Sequence, residues 1–245
     1  MNNNQMIALW GSPNSGTTTL TMKMAKELET MKRSVAIVSC DEETPMLPIL
    51  IPNGKQNHLS LGELLSQPRI TQTDILKFTV PVSNGICLLG YRVDDNETTY
   101  PAYSPGTAKS FLVSLSRLVD IVLIDCSHHI SSNVLSRVGL ACADSVFRIV
   151  NATLKSAMYI RSQRTYLLDT QFHYDKQLTV MNNVMQGQDE TVYSVEFGEL
   201  HYSIPNTPSI SEQFETGKLL DSLFGREAKR FEPVVREMIK EVLLD

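Results

Sequence analysis

The stretch MIALWGSPNSGTTT, residues 6–19, decides the fold class of this chain. Its first five residues form an apolar run of the length of a buried strand, and Gly, Pro, Asn and Ser then mark a loop. Leu20, Met24, Leu28 and Met31 follow at helical spacing, with charged residues between them. The sequence therefore predicts a strand, a loop and a helix in direct succession.

The loop in this stretch has the spacing of a phosphate-binding motif. Gly11 and Gly16 match the two glycines of GxxxxGK[ST], whose backbone N–H groups and following helix N-terminus wrap phosphates. Thr18 stands where that motif has the hydroxyl that binds Mg²⁺. The same residues also suit a Gly/Ser turn that binds nothing, and the rest of the chain has to decide between the two interpretations.

The lysine of the motif is missing. Thr17 occupies its position, and no Lys or Arg precedes Lys23. A lysine ammonium ~4 Å from a phosphate oxygen contributes roughly 4 kcal/mol at an effective dielectric of ~20, before desolvation is subtracted. Because this charge also stabilises the transition state of phosphoryl transfer, we expect the rate of hydrolysis to suffer at least as much as the affinity.

Apolar runs and helical spacing continue along the whole chain. Six further strands are predicted at 35–40, 85–90, 120–125, 145–150, 177–182 and 201–205. Helices are predicted at 59–66 and 71–78, with N-caps at Ser60 and Thr71, and at 106–118, 131–142, 153–169 and 225–244, whereas 41–58 and 94–104 suggest loops. This alternation predicts an α/β fold of three layers, a mostly parallel twisted sheet with helices on both faces, and one domain over 1–245.

Composition excludes several classes of protein. The chain has 245 residues, 42% of them hydrophobic, and a net charge of -5, which argues against broad, sequence-independent nucleic-acid binding. No apolar run approaches the ~18 residues of a membrane span, and no signal peptide is visible. The four cysteines form no CxxC pair and stand in apolar contexts, so we expect reduced, buried thiols and a cytoplasmic protein.

Two other features have structural alternatives. His128 and His129 are adjacent, which is poor metal-ligand geometry, although His128 follows a strand end where it can reach phosphates. The last helix carries an apolar stripe that suits packing on the sheet, contact with a partner or contact with a membrane. Its polar face mixes acidic and basic residues, which favours packing.

Five further segments follow the phosphate loop in a characteristic order. They are VAIVSCDEE (35–43), DIVLIDCS (120–127), ADSVFRIV (143–150), LTVMNNV (178–184) and SIPNTPSISEQFETGKLL (203–220). Together with the loop they resemble the MinD/ParA family of P-loop ATPases, and within it the CpaE/TadZ branch of pilus-assembly proteins. The resemblance extends from Met6 to about Leu220 and is weakest over 42–118.

The resemblance implies a nucleotide site with ATP or ADP and Mg²⁺ as cofactors. Asp41 matches the catalytic residue that positions the attacking water, while Thr18 and Asp125 match the metal ligands. Asn182, or less closely Asn183, matches the residue that recognises the edge of adenine, and Pro205 lies in the segment that lines the base pocket. The phosphate loop is formed by Gly11, Ser12, Pro13, Asn14, Ser15, Gly16, Thr17, Thr18 and Thr19.

Two departures from the family concern its lysines. Ser12 stands where the family usually has a signature lysine that reaches across a nucleotide-sandwiched dimer, and Thr17 replaces the second lysine. Proteins of the CpaE type also tend to lose the second lysine. The resemblance therefore implies a degenerate Walker A loop.

The function implied is a nucleotide-binding positioning or assembly protein, in which ATP switches a homodimer and hydrolysis is slow or absent. Pilus or secretion-apparatus proteins are the expected partners, with recruitment to the inner face of the membrane through peripheral contact at most. Two alternatives stay open: a slow but genuine ATPase of the partitioning type, and a protein-interaction scaffold that binds no nucleotide. No NKxD guanine-reading motif is present, which favours ATP over GTP.

Overall fold

The computed structural model describes residues 4–46, 50–51 and 59–244. Eight strands form one sheet in the order β3-β4-β2-β5-β1-β6-β7-β8. Every neighbouring pair is parallel except β3 and β4. The strands are β1 (Gln5–Gly11), β2 (Val35–Ser39), β3 (Val80–Pro81), β4 (Ile86–Leu89), β5 (Ile121–Asp125), β6 (Ser145–Val150), β7 (Leu178–Val184) and β8 (Tyr202–Pro205).

All seven predicted strands are present, which confirms the α/β class with a mostly parallel sheet. The short edge strand β3 was not predicted, because two residues carry no periodicity. Pro81 has no N–H to donate, and an edge strand is where a sheet tolerates proline. Residues 41–46 of the predicted loop contain neither helix nor strand, and 47–49 and 52–58 lie outside the described residues. The loop prediction was wrong at Leu50, which is helical and whose N donates to Met46 O at 3.1 Å.

The described helices include all of the predicted ones, with slightly different ends. They are α1 (Thr17–Thr30), α2 (Leu61–Leu65), α3 (Gln72–Phe78), α4 (Pro105–Ser116), α5 (Val134–Cys142), α6 (Leu154–Leu167), α7 (Ser194–Phe197), α8 (Pro208–Glu215) and α9 (Gly225–Leu244). Of these, α7 and α8 were not predicted. Ser60 and Thr71 are the N-caps, as predicted. The prediction of a helix from residue 131 was wrong by three residues, because Asn133 caps α5 by accepting a hydrogen bond from Ser136 N.

Alternating residues of the strands build two cores, one on each face of the sheet. In β1, Ile7 and Leu9 pack with α1, α8 and α9, whereas Ala8 and Trp10 face α2 to α7. The apolar stripe of α9 packs on the first face, as its charge pattern favoured. Five of its seven residues are at most 4% exposed (Phe231, Val235, Met238, Ile239 and Val242), and Val234 and Leu243 are partly buried against the same core. None of the described helices is long and apolar enough to cross a membrane.

Candidate functional site

The phosphate loop, defined as Gly11 to Thr19, connects the end of β1 to the first turn of α1. Ser12 N donates to Ile149 O at 3.3 Å, and Ser15 N donates to Ser12 O at 3.0 Å. Gly16 caps α1 in the left-handed region at φ 87°, and its carbonyl accepts from Leu20 N at 2.9 Å. The loop is therefore held in one conformation by its own backbone and by β6.

Both glycines of the loop are required by close contacts. A Cβ at position 11 would lie 2.1 Å from Ile149 O and 2.6 Å from Ser15 Oγ. A Cβ at position 16 would lie 2.5 Å from Asn182 Nδ2, in addition to the strain of a positive φ. These contacts explain why glycine occupies both positions, since any larger residue would collide with β6 or with Asn182.

A cavity of about 580 Å³ opens over the loop. Every residue that the sequence predicted for the site lines it: the nine residues of the loop with Asp41, Asp125, Asn182, Asn183 and Pro205. The remaining lining residues were not predicted as site residues, apart from the suggestion that His128 reaches phosphates; they are Leu20, Thr44, Met46, Cys126, His128, Thr207, Ile210, Ser211, Phe214, Glu215 and Phe231. Among the described residues that line the cavity there is no Lys and no Arg.

Asp125 is the buried carboxylate of the cavity. It ends β5 beside β1 and β2, in register with Leu9 and Ser39, and is 4% exposed. Burial raises the pKa of Asp125 to about 7; a hydrogen bond with the Thr18 side chain lowers this pKa, and the charge of Asp41 raises it. In the described part of the chain Asp125 Oδ1 has no hydrogen-bond partner. A buried carboxylate oxygen without a donor, next to a threonine hydroxyl, fits the hard oxygen ligands that Mg²⁺ takes.

Asp41 is held by the turn that follows β2. Its Oδ1 accepts hydrogen bonds from Glu43 N and Thr44 N, both at 3.0 Å. Asp41 is therefore both a turn cap and a wall of the cavity, and the first role fixes the direction of its side chain.

The two asparagines at the end of β7 differ in their surroundings. Asn182 is buried, and its Nδ2 donates to Ser15 O in the phosphate loop at 2.8 Å. Asn183 is exposed and has a φ of 59°. The amide of Asn182 thus connects the loop to the side of the cavity where Pro205 ends β8.

Sequence reasoning missed the contacts that join the loop to α6. The hydroxyls of Ser12 and Ser156 share a hydrogen bond of 2.8 Å, and Asn151 Nδ2 donates to Asn14 O at 3.0 Å. Thr153, the N-cap of α6, and Asn151 at the end of β6 were the available signals. Ser12 thus faces the chain's own α6.

The two histidines after β5 have different surroundings. His129 Nε2 lies 3.0 Å from Glu43 Oε2, while burial and the neighbouring His129 lower the pKa of His128. Within residues 4–46, 50–51 and 59–244, no group of three or more His, Cys, Asp or Glu side chains is arranged to hold a metal ion. His128 lines the cavity, as the sequence suggested.

Comparisons with known proteins agree with this architecture at the level of the fold. No protein-family model matches the chain, and no curated protein matches it. Solved structures do match. The cell division ATPase MinD of Pyrococcus furiosus has a TM-score of 0.75 and 16% identity over 97% of this chain and 99% of that chain. A ParA family ATPase of Chlorobium tepidum has a TM-score of 0.75 and 12% identity over 98% and 99%.

A third structure, the septum site-determining protein MinD of Pyrococcus horikoshii, was solved with Mg-ADP. It has a TM-score of 0.74 and 16% identity over 97% of this chain and 96% of that chain. With the strand order and the loop, these likenesses define a P-loop NTPase fold of the α/β class. Within that class, the fold is the one that MinD and ParA ATPases share.

Proposed function

We propose that this protein binds ATP with Mg²⁺ at the phosphate loop and acts as a positioning or assembly protein of the MinD/ParA type, in the CpaE/TadZ branch. Bound ATP favours a homodimer, and hydrolysis is slow or absent. The observation that carries the proposal is the loop itself, whose two glycines are enclosed by Ile149 O and Asn182 Nδ2 at the mouth of a 580 Å³ cavity.

Each part of the cavity has a role in this proposal. The backbone N–H groups of the loop and the N-terminus of α1 bind the phosphates. Thr18 and Asp125 hold Mg²⁺, which supplies positive charge to the phosphates when bound. Asp41 orients a water molecule, and Asn182 or Asn183 with Pro205 forms the adenine pocket.

Slow hydrolysis follows from the charges of the cavity. Its described lining has the carboxylates Asp41, Asp125 and Glu215 and no Lys or Arg. Among these described lining residues, no Lys or Arg is therefore available to stabilise the negative charge that develops in phosphoryl transfer. Ser12 replaces the family's signature lysine and forms a hydrogen bond with Ser156 in its own chain. An ATP-dependent dimer would therefore have to form without that lysine.

Partners and location in this proposal come from the family resemblance. One solved neighbour is a complex of MinC with MinD from Aquifex aeolicus, with 14% identity and a TM-score of 0.73. By analogy, a nucleotide-dependent dimer of this protein recruits a second protein, which we assign to a pilus or secretion apparatus at the inner face of the membrane. Residues 1–245 act as a single domain in this scheme.

The first test is a calorimetric titration of the purified protein with ATP, from micromolar to millimolar, with Mg²⁺ and with a chelator. We expect a heat of binding that depends on Mg²⁺. We also expect a higher affinity for ATP than for GTP. Because a ligand that binds only the folded state stabilises it, the melting temperature should rise as well. No heat and no change in melting temperature would instead support a scaffold that binds no nucleotide.

A slow ATPase is the second candidate, and one observation favours it. Asp41 and Asp125 both line the cavity, so the water-orienting and metal-binding groups of an ATPase are present. Phosphate release that disappears in Asp41→Ala, with ATP binding retained, would establish this activity. Phosphate release no faster than in a protein-free control would exclude it.

Restoring the missing lysine should strengthen the site. In Thr17→Lys we expect ATP affinity to increase at least about tenfold, because an ammonium near a phosphate contributes several kcal/mol before its desolvation is subtracted. Thr30→Lys is the matched control, since it adds the same charge at the exposed far end of α1. Equal ATP affinities of the two variants by calorimetry would show that phosphates do not lie on this loop.

A further inference from the structure

Two cysteines lie side by side at the ends of neighbouring strands, next to the candidate site. β2 and β5 are parallel, with Ser39 paired to Asp125, so Cys40 and Cys126 follow in register. Both side chains belong to the core on the same face of the sheet. Strands in a sheet are about 4.8 Å apart, within the range of roughly 4.4–6.8 Å that Cα atoms joined by a disulfide span.

The two thiols are also close enough to affect each other. Each is free, and burial together with the neighbouring Cys126 side chain raises the pKa of the Cys40 thiol. Cys126 Sγ also approaches Ser136 O at 3.9 Å. Because paired positions on neighbouring strands have the Cα separation that a disulfide spans, the two sulfur atoms can form a bond without large backbone movement.

Access to the pair is one-sided. Cys126 lines the cavity and is 6% exposed, whereas Cys40 is 0% exposed. A small oxidant entering the cavity therefore meets Cys126 first. Cys40 is enclosed and does not line the cavity, so a sulfur at position 126 is its expected reaction partner.

We propose that Cys40 and Cys126 are a redox-active thiol pair, a modification site for small peroxides that reach it through the nucleotide cavity. The sulfur of Cys126 attacks hydrogen peroxide, forming an S–O bond and breaking the O–O bond, and the departing hydroxide takes up the thiol proton as water. Cys40 sulfur then attacks Cys126 sulfur, forming the S–S bond and releasing the second oxygen as water. The two thiols lose two electrons, which reduce the peroxide, and an added dithiol reverses the change.

The disulfide should act on the site because of its neighbours. Asp41 follows Cys40, and Asp125 precedes Cys126. Closing an S–S bond of about 2.05 Å rearranges the two cysteine side chains, and in a closely packed interior this small change shifts the adjacent carboxylates. This regulatory part rests on the proposed function, and it predicts that oxidised protein binds Mg²⁺-ATP more weakly, with recovery on reduction.

The first arm of the test maps the thiols without nucleotide. The full chain is treated with hydrogen peroxide, the remaining thiols are blocked, and peptides are analysed by mass spectrometry. We expect a Cys40–Cys126 peptide pair lacking two hydrogen atoms, both in the native chain and in a Cys87→Ser/Cys142→Ser control. In Cys40→Ser we expect a sulfenic acid at Cys126 that dimedone traps. Oxidation of Cys87 or Cys142 with Cys40 and Cys126 still reduced would overturn the proposal.

The second arm measures nucleotide. Saturating Mg²⁺-ATP should slow the oxidation of Cys126, because it fills the route of entry, and oxidised protein should show a lower ATP affinity by calorimetry. A disulfide that leaves ATP affinity unchanged would overturn the regulatory part. If reduced protein binds no ATP, the proposed function fails, whereas the thiol pair is still decided by the mass analysis alone.

Discussion

Asp125→Asn is expected to stabilise the nucleotide-free protein at about pH 8 and, at the same time, to weaken its Mg²⁺-dependent nucleotide binding. Burial raises the pKa of Asp125 to about 7, from an ordinary value of 3.8. The folded state therefore binds this proton more tightly than the unfolded state, and stability falls as the pH rises from about 4 to 7. Asparagine removes the buried charge and still accepts a hydrogen bond from Thr18.

The size of this effect follows from the shift in pKa. A shift of about three units corresponds to an upper limit of roughly 4 kcal/mol in the free energy of unfolding above pH 7. We expect a gain of a few kcal/mol in Asp125→Asn at about pH 8 and almost none at about pH 4. Urea unfolding at both pH values measures it.

Asp41→Asn is the matched control for this substitution. Asp41 is only half-buried, and its carboxylate accepts two backbone hydrogen bonds, so we expect no gain in stability there. A loss of stability in Asp125→Asn at pH 8 would contradict the prediction, since it would mean that the folded state favours the ionised carboxylate. Loss of Mg²⁺-ATP binding with a gain in stability would identify Asp125 as a residue kept for its ligand at the expense of stability.

Gly11→Ala is expected to produce the largest loss of stability among substitutions in the loop. The new Cβ would lie 2.1 Å from Ile149 O, which is backbone of the central strand β6 and cannot move aside. Overpacking of this kind costs about 1–3 kcal/mol or more. We therefore expect a loss of about 3 kcal/mol in the free energy of unfolding, together with loss of ATP binding.

Gly16→Ala and Gly187→Ala separate backbone strain from packing. Their φ values are 87° and 80°, so both substitutions place a Cβ on a left-handed backbone. This strain costs about 1–2 kcal/mol in the free energy of unfolding. Only position 16 has a neighbour, Asn182 Nδ2 at 2.5 Å, whereas a Cβ at 187 meets nothing within 4 Å. The excess loss in Gly16→Ala therefore measures the contact between the loop and Asn182.

Urea unfolding and ATP titration of the three alanine variants test this series. We expect ATP binding to survive only in Gly187→Ala. Equal losses of stability in Gly16→Ala and Gly187→Ala would contradict the close packing of Asn182 on the loop.

Local patterns were enough to predict most elements of this fold. The apolar runs gave seven of the eight strands, and the caps Ser60 and Thr71 lie where the polar residues before each helix indicated. α7 and β3 were missed because they span four and two residues, too few for a period to show. α8 has eight residues and was also missed, because the segment after Pro205 was interpreted only as a lining of the base pocket.

The sequence by itself predicted the phosphate loop, because its two glycines, its missing lysine and its position between strand and helix all lie within fourteen consecutive residues. Only the tertiary structure decided the hydrogen bond between Ser12 and Ser156 and the one between Asn182 and Ser15. It also decided that Cys40 and Cys126 lie side by side on neighbouring strands. The raised pKa of Asp125 belongs to the same group, since it depends on burial between β1 and β2. The physical reason is that strand order is set by packing between distant segments, which leaves no periodic signal in either segment alone.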